Sequence, residues 1–225
     1  MKTTARLLGA AILVAMMIPV ATAADLFTSQ ADDGKLAGWT WFSEDDTKVG
    51  DVWTLGEDGT LVCKGTPLGY IATEKEYGDF TLTLKWRRPE GKEPGKGGVL
   101  IRTVGPDKIW PKSLEVQINA GGAGFLIGLD GYEMKPACNR IKTQVIDHEK
   151  FGKVTILSID GIKEKPVGQW NDYRIVARGG DVTVFLNGKP VNKAVDCKPL
   201  AGRIVLTSEG DEIHFKDVKI EEVKK

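Results

Sequence analysis

The residues best suited to chemistry lie in the run Ser113-Leu114-Glu115-Val116-Gln117-Ile118-Asn119. Its unbroken alternation puts Glu115, Gln117 and Asn119 on one face of an extended strand and Leu114, Val116 and Ile118 on the other. Neighbours on one face then sit about 6.6–6.8 Å apart. A carboxylate followed by two carboxamides suits a hydroxyl-rich ligand, although an ordinary solvent-facing strand carries the same pattern. Two-carboxylate cleavage of a glycosidic bond needs a pair of carboxyl groups roughly 5–9.5 Å apart. Gln117 occupies the neighbouring position, and a carboxamide is neither a nucleophile nor a useful acid. The strand instead suits one base, Glu115, acting on a proton that the substrate has already acidified. Alternation places Arg102, on the preceding strand, on the same face. There it would hold a hydroxyl or a developing oxyanion, or simply form a surface ion pair with Glu115.

Two further residues belong with this group. His148 lies in the polar stretch Asp147-His148-Glu149 and could move a proton or ligate a metal, or stand solvated. Trp110, beside Pro111 in the loop before the Glu115 strand, is the best platform for stacking a sugar. No Gly-x-Ser-x-Gly elbow, Cys-x-x-Cys spacing or EF-hand loop occurs, so triad, structural-zinc and EF-hand readings find no support. The pattern names no cofactor. A divalent metal held by loop carbonyls and scattered carboxylates stays open.

The elements that must position these residues are strands. Asp79 to Arg87 alternates, with Phe80, Leu82, Leu84 and Trp86 on the inner face. Short extended runs are expected around Val52–Leu55, Thr60–Cys63, Gly69–Thr73, Val99–Thr103, Phe125–Leu129, Lys153–Ile159, Asp172–Arg178, Asp181–Leu186, Arg203–Thr207 and Glu212–Ile220. Asn187-Gly188 marks a tight hairpin. Residues 88–98 read as a loop whose glycines would let it move, and residues 131–168 as a long connection with one or two strands. Roughly a dozen short strands at 8–12-residue spacing, with no long helix, predict an all-β jelly-roll sandwich of two antiparallel sheets.

Composition narrows the class. Met1 to Ala23 has a basic start, an apolar run and a small-x-small end, and reads as a secretory signal peptide. Residues 24–225 then form a single domain, exported to the periplasm or secreted. Lys plus Arg and Asp plus Glu each number 31. Without Lys2 and Arg6 the balance is 29 against 31, which argues against nucleic acid as a partner. No later segment is long and apolar enough to span a membrane, so the processed chain is not expected to be an integral membrane protein. The three cysteines, Cys63, Cys138 and Cys197, are widely spaced, and a domain of this size does not depend on a disulfide.

Taken together, several short motifs resemble the 3-keto-disaccharide hydrolase domain family. They are Leu36-Ala37-Gly38-Trp39, Asp58-Gly59-Thr60-Leu61, Gly98-Val99-Leu100-Ile101-Arg102, Leu114-Glu115-Val116-Gln117-Ile118, Gly168-Gln169-Trp170-Asn171-Asp172-Tyr173 and His214-Phe215-Lys216-Asp217-Val218. The resemblance runs from Leu26 to Val223 and implies a concanavalin A-like sandwich similar to laminarinase-type glucanases. It also implies cleavage of glycosides or oligosaccharides oxidised to a ketone at carbon 3. The ketone acidifies the hydrogen on carbon 2, a base removes it, the aglycone leaves carbon 1, and water adds. Arg102, Glu115 and Gln117 would line the site. The chain departs from the family pattern at Lys96-Gly97-Gly98, at Ala123 to Ile127, at Thr207 and at His214 to Asp217. A sandwich that binds carbohydrate through Trp110, Gln117 and Asn119, without a base, is the competing expectation.

Overall fold

The computed structural model describes residues 22–31, 33–91 and 95–223. The segment read as a signal peptide lies outside these but for Thr22 and Ala23. In chain order the strands are β1 (Ala24–Asp25), β2 (Trp39–Ser43), β3 (Trp53–Leu55), β4 (Leu61–Cys63), β5 (Gly69–Tyr77) and β6 (Phe80–Arg87). Then come β7 (Gly98–Val104), β8 (Lys112–Gln117), β9 (Leu126–Leu129), β10 (Glu133–Pro136), β11 (Lys142–His148) and β12 (Gly152–Ser158). The last are β13 (Asn171–Arg178), β14 (Asp181–Leu186), β15 (Lys189–Lys198), β16 (Gly202–Ser208) and β17 (Ile213–Glu222). A single turn of helix, α1 (Val49–Val52), precedes β3.

These strands form two antiparallel sheets, as the alternation predicts. One runs β10-β15-β14-β13-β6-β17-β4-β3, with β1 also on β17. The other runs β11-β12-β9-β8-β7-β16-β5-β2. In the first sheet β6 and β13 alternate strictly between buried and half-exposed positions, because only one face meets the core. Phe80, Leu82, Leu84 and Trp86 form part of that core, as expected. Asn187 and Gly188 both have positive φ and close the β14–β15 hairpin in the geometry their dipeptide favours.

The second sheet behaves differently. Its inner face supplies Val99, Ile101, Leu114, Val116 and Leu206 to the main core. Its outer face carries a separate apolar cluster built on Tyr70, Leu100, Ile127, Leu129 and Val205. The centre of this sheet is therefore buried on both sides, which explains why β7 reads as a near-continuous apolar run.

Three expectations need correction. The stretch 131–168 contains three strands, β10, β11 and β12. β11 was missed because all seven of its residues are exposed at a sheet edge, so no burial imposes alternation on it. Residues 88–98 were expected to owe their glycines to movement. Of the described glycines there, Gly91 stands in open space, whereas Gly95 and Gly97 are needed for close packing: a Cβ on Gly95 would lie 2.0 Å from the Asp211 Cβ, and one on Gly97 would lie 2.3 Å from the Ile213 Cδ1.

The third correction concerns Arg102. The pairing of β7 with β8 slips between Ile101 and Val104, and Arg102 adopts φ +54°. This bulge breaks the two-residue parity and turns the side chain between the sheets. Arg102 is fully buried and donates from Nη2 to the carbonyl of Gly179, in the β13–β14 turn of the opposite sheet, at 2.7 Å. It does not share a face with Glu115. The bulge fits against β16 only because residue 202 lacks a side chain. A Cβ there would lie 2.5 Å from the Arg102 carbonyl carbon and 2.6 Å from the Thr103 oxygen. Gly202→Ala is therefore expected to lower unfolding stability by about 1–3 kcal/mol, measured by chemical denaturation, because backbone rather than a flexible side chain must move.

Candidate functional site

Glu115 sits on the outer face of β8, opposite Leu100 of β7, and is 4% exposed. The end of its strand is held from the other sheet. The Tyr173 hydroxyl donates to the Gln117 carbonyl at 2.6 Å, and Arg88 Nη1 donates to the Ile118 carbonyl at 3.3 Å. Gly98 makes room for the carboxyl group, since a Cβ there would fall 2.6 Å from Glu115 Oε1. The Gly98 amide in turn donates to Thr207 Oγ1 at 2.8 Å. Backbone packing thus fixes Glu115 beside β16.

That placement gives Glu115 a partner the sequence reading missed. Glu209 lies just past the end of β16, where the sequence shows only the turn Glu209-Gly210-Asp211. As a residue Glu209 is half-buried, yet its Oε1 is sealed from solvent and has no hydrogen-bond partner. Burial pushes the Glu115 carboxyl well above the ordinary value of 4.5, and the charge of Glu209 pushes the same way. Burial also raises Glu209, but less: hydrogen bonds from the Thr207 and Trp110 side chains and the positive charge of Lys96 oppose it. Both carboxyl groups are therefore shifted toward the protonated form, Glu115 more strongly than Glu209. No local motif announces this pairing. Only the order β8-β7-β16 brings the two groups together.

Trp110 is the cover. It has φ +55°, an uncommon conformation for a bulky residue, and packs on the outer apolar cluster. Beneath it, Tyr70, Leu100, Thr207 and Glu209 help to line a void of only about 10 Å³. The turn between β11 and β12 presses on it from above. The Phe151 ring lies 4.3 Å from Trp110, and the His148 ring stacks on Phe151 at 3.9 Å and 6°. His148 is thereby accounted for. Its Nδ1 accepts from the backbone amides of Lys150 at 3.1 Å and Phe151 at 3.3 Å, so it shapes the turn. Two aromatic rings separate it from the carboxyl pair.

The remaining expected residues divide. Gln117 stays on the Glu115 face, half-buried, with its Oε1 against Gly122. Asn119 lies beyond the end of β8 and accepts the Gly97 amide at 3.0 Å, a tie between two chain segments. The structure therefore keeps Glu115 and Gln117 on one face, gathers Trp110, Thr207 and Glu209 around one small void, and takes Arg102 and His148 away. Among the described residues no group of three or more His, Cys, Asp or Glu side chains is placed to hold a metal ion. All three cysteines are free.

Raised pKa values have a consequence for stability. The unfolded chain loses the Glu115 proton near pH 4.5, whereas the folded chain retains it to higher pH. Between those points the folded state binds more protons, so stability falls as pH rises. Glu115→Gln removes this penalty without removing bulk. It is expected to unfold at higher denaturant concentration than the unsubstituted protein at pH 7–8, with the difference shrinking toward pH 4. An equal difference at both pH values would show that Glu115 is not held protonated by burial.

Comparison with known structures supports the sandwich. A candidate glycosyl hydrolase from Parabacteroides distasonis ATCC 8503 superposes with TM-score 0.58 at 20% identity, covering 90% of this chain and all of that one. The carbohydrate-binding module CBM66 from Bacillus subtilis gives 0.56 at 17% identity, over 82% of this chain and 96% of the other. The β-glucanase of Bacillus licheniformis gives 0.52 at 10%, over 90% and 98%. Identities this low establish the fold alone, the concanavalin A-like sandwich that the resemblance implied. No curated protein matches the sequence. No helix of the described residues is long and apolar enough to cross a membrane. Residues 23–221 match the 3-keto-alpha-glucoside-1,2-lyase-like domain, and over that length the chain belongs to this carbohydrate-related family.

Proposed function

We propose that this chain is an exported enzyme that cleaves glycosides oxidised to a ketone at carbon 3, and that Glu115 and Glu209 act as its acid–base pair. The observation that carries this reading is the burial of two adjacent carboxyl groups, unequally stabilised, on the outer face of the eight-stranded sheet. A pair whose two environments differ can hold one proton and one charge between them, which separates an acid from a base. The Glu209 carboxylate takes the hydrogen from carbon 2, whose electrons pass into the enolate of the ketone. The enolate expels the carbon 1 oxygen, and Glu115 supplies its proton to the departing aglycone. Glu115 is left as the carboxylate. It then takes a proton from the water that adds at carbon 1, while Glu209 returns its proton to carbon 2. The role first given to Glu115 alone is thus divided. Gln117, rather than the inward-facing Arg102, is the side chain available to donate to the ketone oxygen.

A second reading has one observation in its favour. Glu209 is closed under Trp110, with a void of about 10 Å³, and Glu115 is only 4% exposed. A protein that binds sugar elsewhere and does no chemistry would tolerate that closure, whereas the enzyme requires Trp110 to yield its place to the substrate.

Turnover of a 3-keto-disaccharide separates the two readings. General acid–base groups contribute about 10²–10⁴-fold to rate. Glu115→Gln and Glu209→Gln are each expected to reduce kcat/KM by at least about a hundredfold. Arg102→Met, altered only between the sheets, is expected to retain turnover. Cleavage that survives both glutamate substitutions would remove the pair from the mechanism. Absence of cleavage by the unsubstituted protein, with sugar binding intact, would leave the binding reading.

A further inference from the structure

A large concavity lies away from the carboxyl pair. It is a cleft of about 970 Å³ where the two sheets part, between the edge strands β2 and β3. Ligand sites of this kind span roughly 300–1,000 Å³. The order β8-β7-β16-β5-β2 puts four inter-strand steps, about 19 Å, between the strand of Glu115 and this edge.

The walls are built rather than left over. The Gln30 carboxamide uses both ends: Nε2 donates to the carbonyls of Gly34 at 2.8 Å and Trp53 at 2.9 Å, and Oε1 accepts the Leu55 amide at 2.7 Å. This clamps the segment before β2 to β3. Gly34 packs directly on Gly50 at α1, where a Cβ would fall 2.5 Å from the Gly50 Cα. The floor is apolar, with Leu36, Trp39 and Ile71. Trp41 forms a half-buried wall. Its indole N–H is already committed to the Thr47 carbonyl at 3.0 Å, so the ring is fixed in orientation. Thr40, Thr54 and Glu74 are exposed hydrogen-bonding groups around it.

The charges at the cleft select against ionic ligands. Lys35 and Asp33 pair at 3.0 Å, and Asp51 accepts the Lys48 amide at 3.2 Å. Two lysines face three carboxylates in the lining. A fixed indole beside mixed hydroxyl, ammonium and carboxylate groups, without a dominant charge, fits a neutral polyhydroxyl chain. We infer that this edge cleft is a second carbohydrate site that holds a neutral gluco-oligosaccharide, independent of the carboxyl pair. The inference rests on the carbohydrate character of the family and not on the 3-keto reaction. Two sites on one rigid sheet would raise the effective concentration of a polymeric ligand at the outer face.

The test uses the full processed chain, calorimetric titration and two probes, cellohexaose and maltohexaose. At least one probe is expected to bind the unsubstituted protein and Glu115→Gln alike. Trp41→Ala is expected to weaken that binding by at least about tenfold, as truncation of a buried Trp anchor does. Trp41→Phe, which keeps a ring, and Glu74→Ala, at the exposed rim, guard against loss through misfolding. Each is expected to bind measurably, Glu74→Ala more weakly than the unsubstituted protein. Turnover of a 3-keto-disaccharide, assayed separately, is expected to be unchanged in Trp41→Ala. Binding of neither probe, or binding indifferent to both Trp41→Ala and Glu74→Ala, would overturn the inference. Because turnover is read separately, a failed cleavage assay alone leaves it standing.

Discussion

Two carboxyl groups occupy a patch from which water is excluded, and the arrangement around them follows from that constraint. A buried carboxylate is costly unless it is paired, hydrogen-bonded or protonated. Burial shifts both groups toward the protonated form, Glu115 most strongly, while Thr207, Trp110 and Lys96 ease the charged form of Glu209. The outer face of the eight-stranded sheet is unusual in being apolar enough to enforce this. Tyr70, Leu100, Ile127, Leu129 and Val205 exclude water where a one-sided antiparallel sheet would be wet. Glu115 is therefore not a surface group that happens to be reactive. It is held in its less stable ionisation environment by a second, smaller core.

The backbone features nearby serve the same end. Without the bulge at Arg102, parity would place a guanidinium on the face of Glu115, and a cation there would draw the carboxyl group into its charged form. The bulge instead sends Arg102 inward, where Nη2 is satisfied by Gly179 and two other guanidinium nitrogens find no partner. That buried charge is expensive, and Gly202 is the concession that lets the bulge close against β16. Charge has thus been removed from the outer face at a cost borne in the interior.

The alternation of single strands made most of the fold legible. β6, β13 and β14 each have one face committed to the core, so burial wrote a period of two into their residues. β11 escaped because neither face is committed. Arg102 was misplaced because alternation assumes regular pairing, and a one-residue irregularity leaves no mark in composition. His148 looked catalytic because histidine is versatile, whereas its ring nitrogen closes a turn. Glu209 was invisible for a different reason. Its significance depends wholly on the neighbour that sheet topology supplies, and a turn glutamate beside glycine is among the commonest patterns a sequence can show.

Trp110 links the proton affinity of the site to its accessibility. While its indole lies against Glu209, that carboxyl group keeps one of its hydrogen bonds. Lifting the ring alone would admit water, ease the charged form of the carboxyl groups and deprive Glu209 of a donor. The chemistry proposed above needs the opposite: a dry pair that still divides one proton unequally. A sugar ring is flat enough on its apolar face to replace the indole as cover, and its hydroxyls can replace the lost N–H donor. The closed arrangement is then the resting form of a site whose substrate supplies its own lid. The stacking of Phe151 and His148 on Trp110 sets how readily that exchange begins.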